Sequence, residues 1–233
     1  MTDSAVSIDR PLLAIDVVIL TAASGSLRVL LVKRAEAPEQ GLWALPGGLV
    51  RREEGLDEAA RRILAEKALL TDVFLEQLYT FGQPDRDPRS RVVTVAYMAL
   101  VPPHRLTATA RRCVADIRVP WAGESGGAVA LYAAGESLDT AFDHDAIIAT
   151  AVLRIRGKLA YTNIGFELLG PRFTLRELRL LHETILGQPL NKDSFRRRVL
   201  ATKLVESTGI RQEAVGHRPA LLYRFGSTPA DDA

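Results

Sequence analysis

The residues best suited to chemistry lie in one stretch, residues 44–70, where a glycine pair precedes a charged segment of helical character. Gly47 and Gly48 permit a sharp backbone turn that other residues adopt only with strain. Residues 56–70 contain no Gly or Pro and place apolar side chains at helical spacing, which predicts a helix with one buried face. Because a helix N-terminus exposes unpaired backbone N–H groups, a glycine-rich turn leading into it indicates an anion-binding site.

The order of residues in this stretch resembles the Nudix box, written G-x5-E-x7-R-E-U-x-E-E-x-G-U, where U is aliphatic. The chain agrees with the box at Gly48, Glu54, Arg62, Leu64 and Glu66. It departs from the box at three positions, where glutamate, glutamate and glycine are replaced by Ile63, Lys67 and Leu69. The resemblance implies a Nudix fold with a site for a pyrophosphate-containing ligand.

The departures bear on whether such a site could hydrolyse its ligand. Residues 63, 66 and 67 are three or four positions apart, so they share one helix face. In the family that face carries carboxylates for the divalent ions that activate water, and Mg²⁺ requires hard oxygen ligands. An ammonium is only a donor and cannot ligate a cation. We therefore predict a Nudix fold with hydrolysis disabled, no catalytic residue, no metal and no other cofactor; the alternative is an amphipathic helix that matches the box by chance.

Two further segments resemble the ligand-binding parts of Nudix proteins. The loop after residue 33 borders the substrate pocket in that fold, which makes Arg34 a candidate phosphate contact, or else a solvated charge at a strand end. A phenylalanine-glycine pair, a polar loop and R-x-V-T-V-A-Y resemble ADP-ribose-recognising members and imply that Arg91 lies near the diphosphate, with Gln83 and Arg86 as weaker candidates. The predicted ligand-binding residues are Arg34, Gly47, Gly48, Glu66, Lys67 and Arg91.

Composition limits the protein classes that the chain can belong to. With 233 residues, 47% apolar and 25% charged, it has ordinary globular values and room for one large domain or two smaller ones. A single cysteine, Cys113, excludes an internal disulfide framework. The chain shows no signal-peptide pattern and no apolar run long enough to span a bilayer, so we expect a cytoplasmic protein that does not contact membranes. No nucleophile elbow, Walker-type loop or His/Cys metal spacing is present, and nucleophilic catalysis has no sequence support.

Charge is distributed unevenly along the chain. The formal net charge is only +2, yet residues 171–224 contain eleven basic and five acidic residues, an excess of +6. The remainder of the chain therefore carries −4. This pattern indicates a polyanion-binding module attached to a different kind of domain.

The elements that position these residues divide into two predicted domains, residues 1–160 and 161–233. In the first, dense Val, Ile and Leu predict strands at 12–22, 27–33, 74–81 and 92–101, with another near 116–119. A helix over 145–158, with Asp143 or Asp145 as its cap, ends this domain. His144 beside it is predicted to be a structural histidine or, alternatively, a ligand contact. The predicted fold class is an α/β (α+β) Nudix sandwich domain followed by a winged helix-turn-helix domain.

The second domain begins with a capped helix over 173–187, since Thr174 and Glu177 have the spacing of a capping box and Gly187 ends the pattern. Asn191 can cap a second helix over 191–205, in which Phe195, Val199 and Leu200 point inwards, with Leu204 as a weaker candidate. Two helices joined by a tight turn form a helix-turn-helix. Residues 204–225 predict a strand, a loop and a strand, which would be the wing.

The second of these helices is the predicted DNA reader. Side chains at the start of a recognition helix reach base edges in the major groove, where arginine pairs well with guanine, and a wing contacts phosphate or the minor groove. A small helical domain used for dimerisation is the alternative. The predicted DNA-binding residues are Lys192, Ser194, Arg196, Arg197 and Arg198 on the helix, and Arg211, His217 and Arg218 in the wing.

Several phrases together resemble one family across nearly the whole chain. They are GKL-x-YTNIGFELL, FTLRELRLLHETILG, NKDSFRRRVL and HRPALLYRF, and they are similar to the NrtR-type Nudix-related transcriptional regulators of NAD metabolism. The resemblance implies a homodimeric repressor that binds a palindromic operator on double-stranded DNA and responds to ADP-ribose or a related sugar-nucleotide. Two alternatives stay open: an active pyrophosphatase with Glu54, Glu58 and Glu66 as metal ligands, and a regulator that responds to a sugar unrelated to NAD.

Overall fold

The first part of the chain folds into a mixed β-sheet with helices on both faces. The computed structural model describes residues 10–121, 126–159, 164–213 and 219–226. The sheet strands are β1 (Leu12–Ala23), β2 (Ser26–Lys33), β3 (Trp43–Ala44), β4 (Gly47–Leu49), β5 (Phe74–Phe81), β6 (Val92–Leu100), β7 (Arg112–Arg118), β8 (Ala130–Ala133) and β9 (Glu136–Leu138). The strands predicted from the sequence are therefore confirmed, with ends shifted by a few residues.

Strand β1 is the centre of this sheet. The strand order is β5-β6-β1-β2-β7-β8-β9, with β3 paired to β2 and β4 paired to β1, and the β1–β6 pair is parallel. Because side chains alternate along a strand, Ile15, Val17 and Ile19 enter the core on one face, while Val18 and Leu20 enter the core on the other. Burial on both faces explains why β1 reads as a continuous apolar run.

One helix covers each face of the sheet. Helix α1 (Leu56–Ile63) packs on one face and continues through a π-helical turn, Leu64–Ala68, and Leu69 then takes a left-handed conformation with φ 59°. The predicted helix over 56–70 is thus confirmed up to Ala68. Helix α2 (His144–Lys158) packs on the other face, one residue longer at its start than predicted. Five of its side chains are at most 1% exposed: Ile147, Ile148, Ala151, Val152 and Ile155.

The predicted sharp turn at the glycine pair is wrong. Gly47 and Gly48 are extended residues of β4, and they pair with Asp16 and Ile15 of β1. Glycine is required at position 47 because a Cβ there would lie 2.9 Å from the backbone carbonyl of Ile15 and would also collide with the Asp16 carboxylate. Helix α1 begins only at Leu56, so the glycine pair provides close backbone approach and does not form a helix N-terminus.

The second part of the chain contains two helices and a two-stranded sheet, as predicted. They are α3 (Leu175–Leu186), α4 (Lys192–Ala201), β10 (Val205–Arg211) and β11 (Leu221–Phe225). The predicted capping box is confirmed, since Thr174 Oγ1 accepts from the Glu177 amide at 3.1 Å and Glu177 Oε2 accepts from the Thr174 amide at 2.7 Å. The predicted cap at Asn191 is also confirmed, because its side chain accepts from the amide of Ser194 at 3.0 Å.

The core of the second part is small and leaves Leu200 outside. It contains Phe173, Leu178, Phe195, Val199, Val205 and Tyr223. The prediction that Leu200 points inwards is wrong, since this side chain is 39% exposed. Helix α4 ends at Ala201, four residues earlier than predicted, and Phe195 and Val199 alone are the buried residues of this short helix.

Helix α3 contributes to the cores of both parts of the chain. Leu178 packs in the second core, whereas Leu181 and Ile185 pack with Ile155 and other residues of the first. Residues 160–163, where the predicted boundary falls, lie outside the described residues, and the division at 160/161 stays a prediction. Among the described helices, none combines the length and the apolar character needed to cross a bilayer.

Candidate functional site

A cavity of about 810 Å³ lies at the end of the sheet, between β4, the π-helical turn, the loops after β2 and β5, and the start of α2. This volume is within the range of small-molecule sites. Seven cationic and four acidic side chains line the cavity, a formal excess of three positive charges, which favours an anionic ligand. The cations are Lys33, Arg34, Lys67, Arg86, Arg89, Arg111 and Arg112, and the acids are Asp16, Glu36, Glu66 and Asp87.

Most of the predicted ligand-binding residues meet at this cavity. Its lining includes Arg34, Gly47, Gly48, Glu66 and Lys67, although they come from three separate parts of the sequence. The sixth predicted residue does not line the cavity.

The side chain of that residue, Arg91, turns back onto its own loop. The guanidinium donates to the backbone carbonyl of Gln83 at 3.1 Å. Two other arginines of the same loop, Arg86 and Arg89, take part in the lining instead. Alternation of side chains along a strand is the sequence signal that could distinguish arginines that line the cavity from those that do not. This signal is weak in the irregular loop that precedes β6.

The ammonium group of Lys67 lies against β4. Its Nζ donates to the backbone carbonyl of Gly47. Partial burial lowers the pKa of the Lys67 ammonium, while the nearby Asp16 carboxylate acts in the opposite direction. Ile63 approaches the same glycine pair, since its Cδ1 lies 3.8 Å from where a Cβ on Gly48 would be. The two residues that replace glutamates in the box therefore both face β4.

The remaining glutamates of the box contact arginines or a backbone amide. Glu54 accepts hydrogen bonds from Arg62 at 2.6 and 2.8 Å, and these bonds lower the pKa of Glu54 from 4.5 to about 2. Arg62 also donates to Glu66 at 3.2 Å, and Glu58 accepts from the amide of Gly55 at 2.8 Å. Among the described residues, no three His, Cys, Asp or Glu side chains are grouped so that they could hold a metal ion.

A buried charged network behind the cavity was not predicted. Arg86 donates to Asp143 at 2.7 Å and contacts Asp16 at 3.3 Å, and its side chain is only 5% exposed. Asp143 precedes α2 as predicted, but its carboxylate binds Arg86 and makes no side-chain cap. The partners are 57 and 70 residues apart in sequence, so neither periodicity nor local motifs could have revealed them.

Two residues beside Asp143 complete this wall of the cavity. His144 Nδ1 accepts from the Leu45 amide at 2.9 Å, and burial lowers the pKa of the His144 imidazole, which favours the neutral form needed for this bond. His144 is thus a structural histidine that also lines the cavity. The centre of the Phe142 ring lies 4.6 Å from the Arg34 guanidinium and 5.8 Å from that of Arg89.

The predicted DNA-binding residues of α4 all lie on the solvent-exposed part of the helix. All five, Lys192, Ser194, Arg196, Arg197 and Arg198, are exposed. Phe195 and Val199, only 2% and 9% exposed, fix the opposite face of the helix in the second core. In the hairpin, Arg211 is exposed and donates to the carbonyl of Pro219 at 3.0 Å, whereas His217 and Arg218 lie outside the described residues.

Comparisons with known proteins match both parts of the chain. A family model for the NUDIX domain matches residues 10–123, and the model described as the NrtR DNA-binding winged helix domain matches residues 165–225. The chain is 37% identical, over 217 residues, to the ADPR responsive transcriptional repressor NtrR of Acinetobacter baylyi, covering 92% of this chain and 82% of that protein.

Solved structures agree with this assignment. The crystal structure of Shewanella oneidensis NrtR complexed with a 27mer DNA has a TM-score of 0.75 and 32% identity, over 92% of this chain and 93% of that one. A MutT/nudix family protein from Enterococcus faecalis has a TM-score of 0.77 and 27% identity, over 96% and 90% of the two chains. The predicted fold class and family resemblance are confirmed, and the chain belongs to the NrtR family, in which a Nudix domain is followed by a winged helix domain.

Proposed function

We propose that the protein is a transcriptional repressor that binds a palindromic operator as a homodimer and whose Nudix domain senses ADP-ribose or a similar sugar-nucleotide. The observation that carries this proposal is the exposed part of α4, where Lys192, Ser194 and three consecutive arginines lie within the first two turns of a helix anchored by Phe195 and Val199. Residues at this end of a recognition helix reach base edges in the major groove. The Acinetobacter relative is named as an ADPR-responsive repressor, which supports both parts of the proposal.

The wing would add contacts that do not depend on base sequence. Arg211 lies at the end of β10, and the predicted wing residues His217 and Arg218 come between β10 and β11 in the sequence. Contacts of this kind fix the position of a protein on the duplex through phosphate or the minor groove. In a symmetric dimer, the two α4 helices would bind half-sites separated by about one helical turn or a multiple of it.

The cavity supports a ligand that carries a diphosphate. Its excess of three positive charges includes Lys67 and Arg34, two of the residues predicted to contact phosphate. Apolar side chains also line the cavity beside these cations, among them Leu12, Leu49 and Phe142, whose ring packs against the Arg34 guanidinium. A sugar-nucleotide diphosphate combines the anionic and planar parts that such a lining accommodates.

We propose that ligand is bound here without being hydrolysed. The Nudix reaction requires carboxylates that hold divalent ions, but Ile63 is fully buried and Lys67 presents a donor, so the residues present do not fit such a site. Glu54 is held by Arg62 instead. A fixed ammonium could bind phosphate without activating water. We further propose that the protein acts in the cytoplasm and regulates genes of NAD or related metabolism.

The test is a mobility shift on DNA from upstream of the neighbouring genes, with and without ADP-ribose, together with an assay for Mg²⁺-dependent release of AMP. We expect a shifted complex, a change in its affinity when ADP-ribose is added, and no turnover. Turnover at an ordinary enzyme rate without binding to any duplex would favour the alternative, a pyrophosphatase that uses Glu54, Glu58 and Glu66. A thermal-shift panel in which another sugar phosphate stabilises the protein more than ADP-ribose would favour the sugar-responsive regulator.

A further inference from the structure

Helix α2 has one end in the wall of the cavity and the other end against the DNA-binding domain. It contains 15 residues, and at 1.5 Å per residue it spans about 22 Å. Different sets of polar and aromatic groups make the contacts at its two ends.

At the start of α2, three consecutive residues contact the cavity or its network. Phe142 and His144 line the cavity, and Asp143 binds Arg86 at 2.7 Å. Phe142 also has a φ of 56°, a left-handed conformation that is strained for a residue with a side chain and that often marks functional segments. Arg86 lies in the cavity wall, so an anionic ligand would compete with Asp16 and Asp143 for its guanidinium.

At the end of α2, Arg156 connects the helix to α3. Its side chain is buried, at 8% exposed, and its Nε donates to the backbone carbonyl of Ile185 at 2.9 Å. The same guanidinium donates to the carbonyl of Trp121 at 3.0 Å and lies 4.8 Å from the centre of that ring. Ile185 is in the last turn of α3, where a cation is favoured by the helix dipole. Gly187, just after α3, would place a Cβ 3.1 Å from the same guanidinium, so the approach is close.

The middle of α2 is tightly packed. Its five most buried side chains are at most 1% exposed and fill the core between the sheet and the helix. Close-packed interiors transmit displacement and do not absorb it. Helix α3 in turn contacts the DNA-reading helix α4, since the His182 ring lies edge-on to Phe195 with centroids 5.1 Å apart.

We infer that α2 transmits ligand occupancy from the cavity to the DNA-binding domain, with Arg156 as the positioning residue that links the end of α2 to the end of α3. The inference rests on the proposed function. Ligand that displaces Asp143 from Arg86 releases the first turn of α2, and the altered position of α2 is passed through Arg156 and Ile185 to α3 and then to α4. A ligand acts on DNA affinity only through such a difference between two states.

The test measures the coupling ratio, which is the dissociation constant for operator DNA with saturating ADP-ribose divided by the constant without it. Allosteric ratios are commonly about 5- to 150-fold, and we expect the full-length wild-type dimer to fall in this range. Arg156→Met keeps the side-chain volume and removes both hydrogen bonds, and its ratio should lie within about twofold of 1. Binding of ADP-ribose alone and of DNA alone should remain, because neither binding surface includes Arg156.

Arg154→Met is the matched control. Arg154 lies on the same helix but donates to Glu76 and to the carbonyl of Leu78, both in β5 of the first domain. Its substitution should leave the coupling ratio at the wild-type value. If Arg156→Met melts below the assay temperature, Asp143→Asn at the opposite end of α2 decides, since it should also lower the ratio.

The outcomes separate this inference from the proposed function. A wild-type ratio in Arg156→Met, equal losses in Arg156→Met and Arg154→Met, or an unchanged ratio in Asp143→Asn when that variant decides, would overturn the inference. Wild-type protein that binds both ligands without coupling would also overturn it while leaving both binding proposals in place. Wild-type protein that binds neither DNA nor ADP-ribose would instead refute the proposed function.

Discussion

The cavity of the Nudix domain and the surface of α4 both carry concentrated positive charge, but they hold it in opposite ways. In the cavity, Arg86 is paired with Asp16 and Asp143, groups brought together from positions 70 and 57 residues away. On α4, Arg196, Arg197 and Arg198 are neighbours in sequence and are exposed. A small ligand requires charges fixed in one geometry, whereas exposed cations bind a polyanion by releasing the counterions condensed on it.

This difference predicts how substitutions in the two regions divide their effects. Removing an exposed arginine from α4 should lower DNA affinity with little change in the free energy of unfolding, because no buried partner is left behind. Removing a paired charge from the cavity network should affect folding as well, since a buried carboxylate loses its partner.

The largest expected effect is on DNA affinity, from Arg196→Ala combined with Arg197→Ala. A bidentate contact to a base contributes about 1–3 kcal/mol, so the double variant should lose about 2–6 kcal/mol of operator binding, measured by fluorescence anisotropy. The free energy of unfolding should change by less than about 0.5 kcal/mol. Arg61→Ala removes an exposed charge from α1 and should leave DNA binding as it was. Unchanged DNA-binding titrations for the double variant would show that α4 is not the surface that contacts the bases.

The second prediction concerns Lys67 in the cavity. Lys67→Met removes the ammonium, and loss of a charge-assisted hydrogen bond to phosphate costs about 1.5–3 kcal/mol. Calorimetry with ADP-ribose in EDTA should therefore show weaker binding by about one to two powers of ten, while DNA binding without ligand is retained. The control is Arg52→Met, since the side chain of Arg52 is 96% exposed and lies outside the cavity lining. Equal affinity in wild type and Lys67→Met would show that this cation does not contact the ligand.

The third prediction concerns the pH dependence of stability, which differs between the two domains. Burial lowers the pKa of His182 from 6.5 to about 4, and Arg198 adds to this shift. As pH falls from about 6.5 to 4, the unfolded state binds a proton that the folded state does not, so stability declines by on the order of 2 kcal/mol. Glu54 behaves differently, because its pKa is lowered from 4.5 to about 2, and its contribution is lost only between these values.

The His182 effect is measured by chemical denaturation at a series of pH values, with a spectroscopic signal that reports unfolding of the winged helix domain. His182→Leu should flatten the decline between pH 6.5 and 4, whereas substitution of the exposed His104 with Gln should leave it unchanged. A decline of the same size in His182→Leu would show that another group is responsible.

The smallest expected effect is at Leu69, which ends the π-helical turn with φ 59° and is 70% exposed. A left-handed conformation costs a residue with a Cβ about 1 kcal/mol, so Leu69→Gly should stabilise the protein by about 0.5–1 kcal/mol in thermal or urea unfolding. Leu49→Gly is the matched control, because Leu49 is 52% exposed but extended in β4, and the same change there should destabilise. If Leu69→Gly destabilises as much as Leu49→Gly, the strain at this position is negligible.

How much of each region could be predicted follows from the range of its interactions. The caps of the DNA-binding domain involve residues two or three positions apart, Thr174 with Glu177 and Asn191 with Asp193 and Ser194, and they were read directly from the sequence. The inward prediction for Leu200 is wrong, because a short helix leaves the direction of a side chain to its neighbours. Arg91 lies outside the cavity lining, and its role as a ligand contact stays a prediction, since an irregular loop leaves side-chain direction equally open.

The amino-acid sequence by itself determined the family, the longer strands and the helices, the basic residues of α4 and the replacement of two acidic residues by Ile63 and Lys67. Only the tertiary structure decided that Gly47 passes against Asp16, that Arg86 joins Asp16 to Asp143, and that Arg156 reaches the last turn of α3. Local patterns record propensities and spacings within a few residues. Contacts across 29 to 70 residues depend on how the sheet and helices pack, which no short segment encodes.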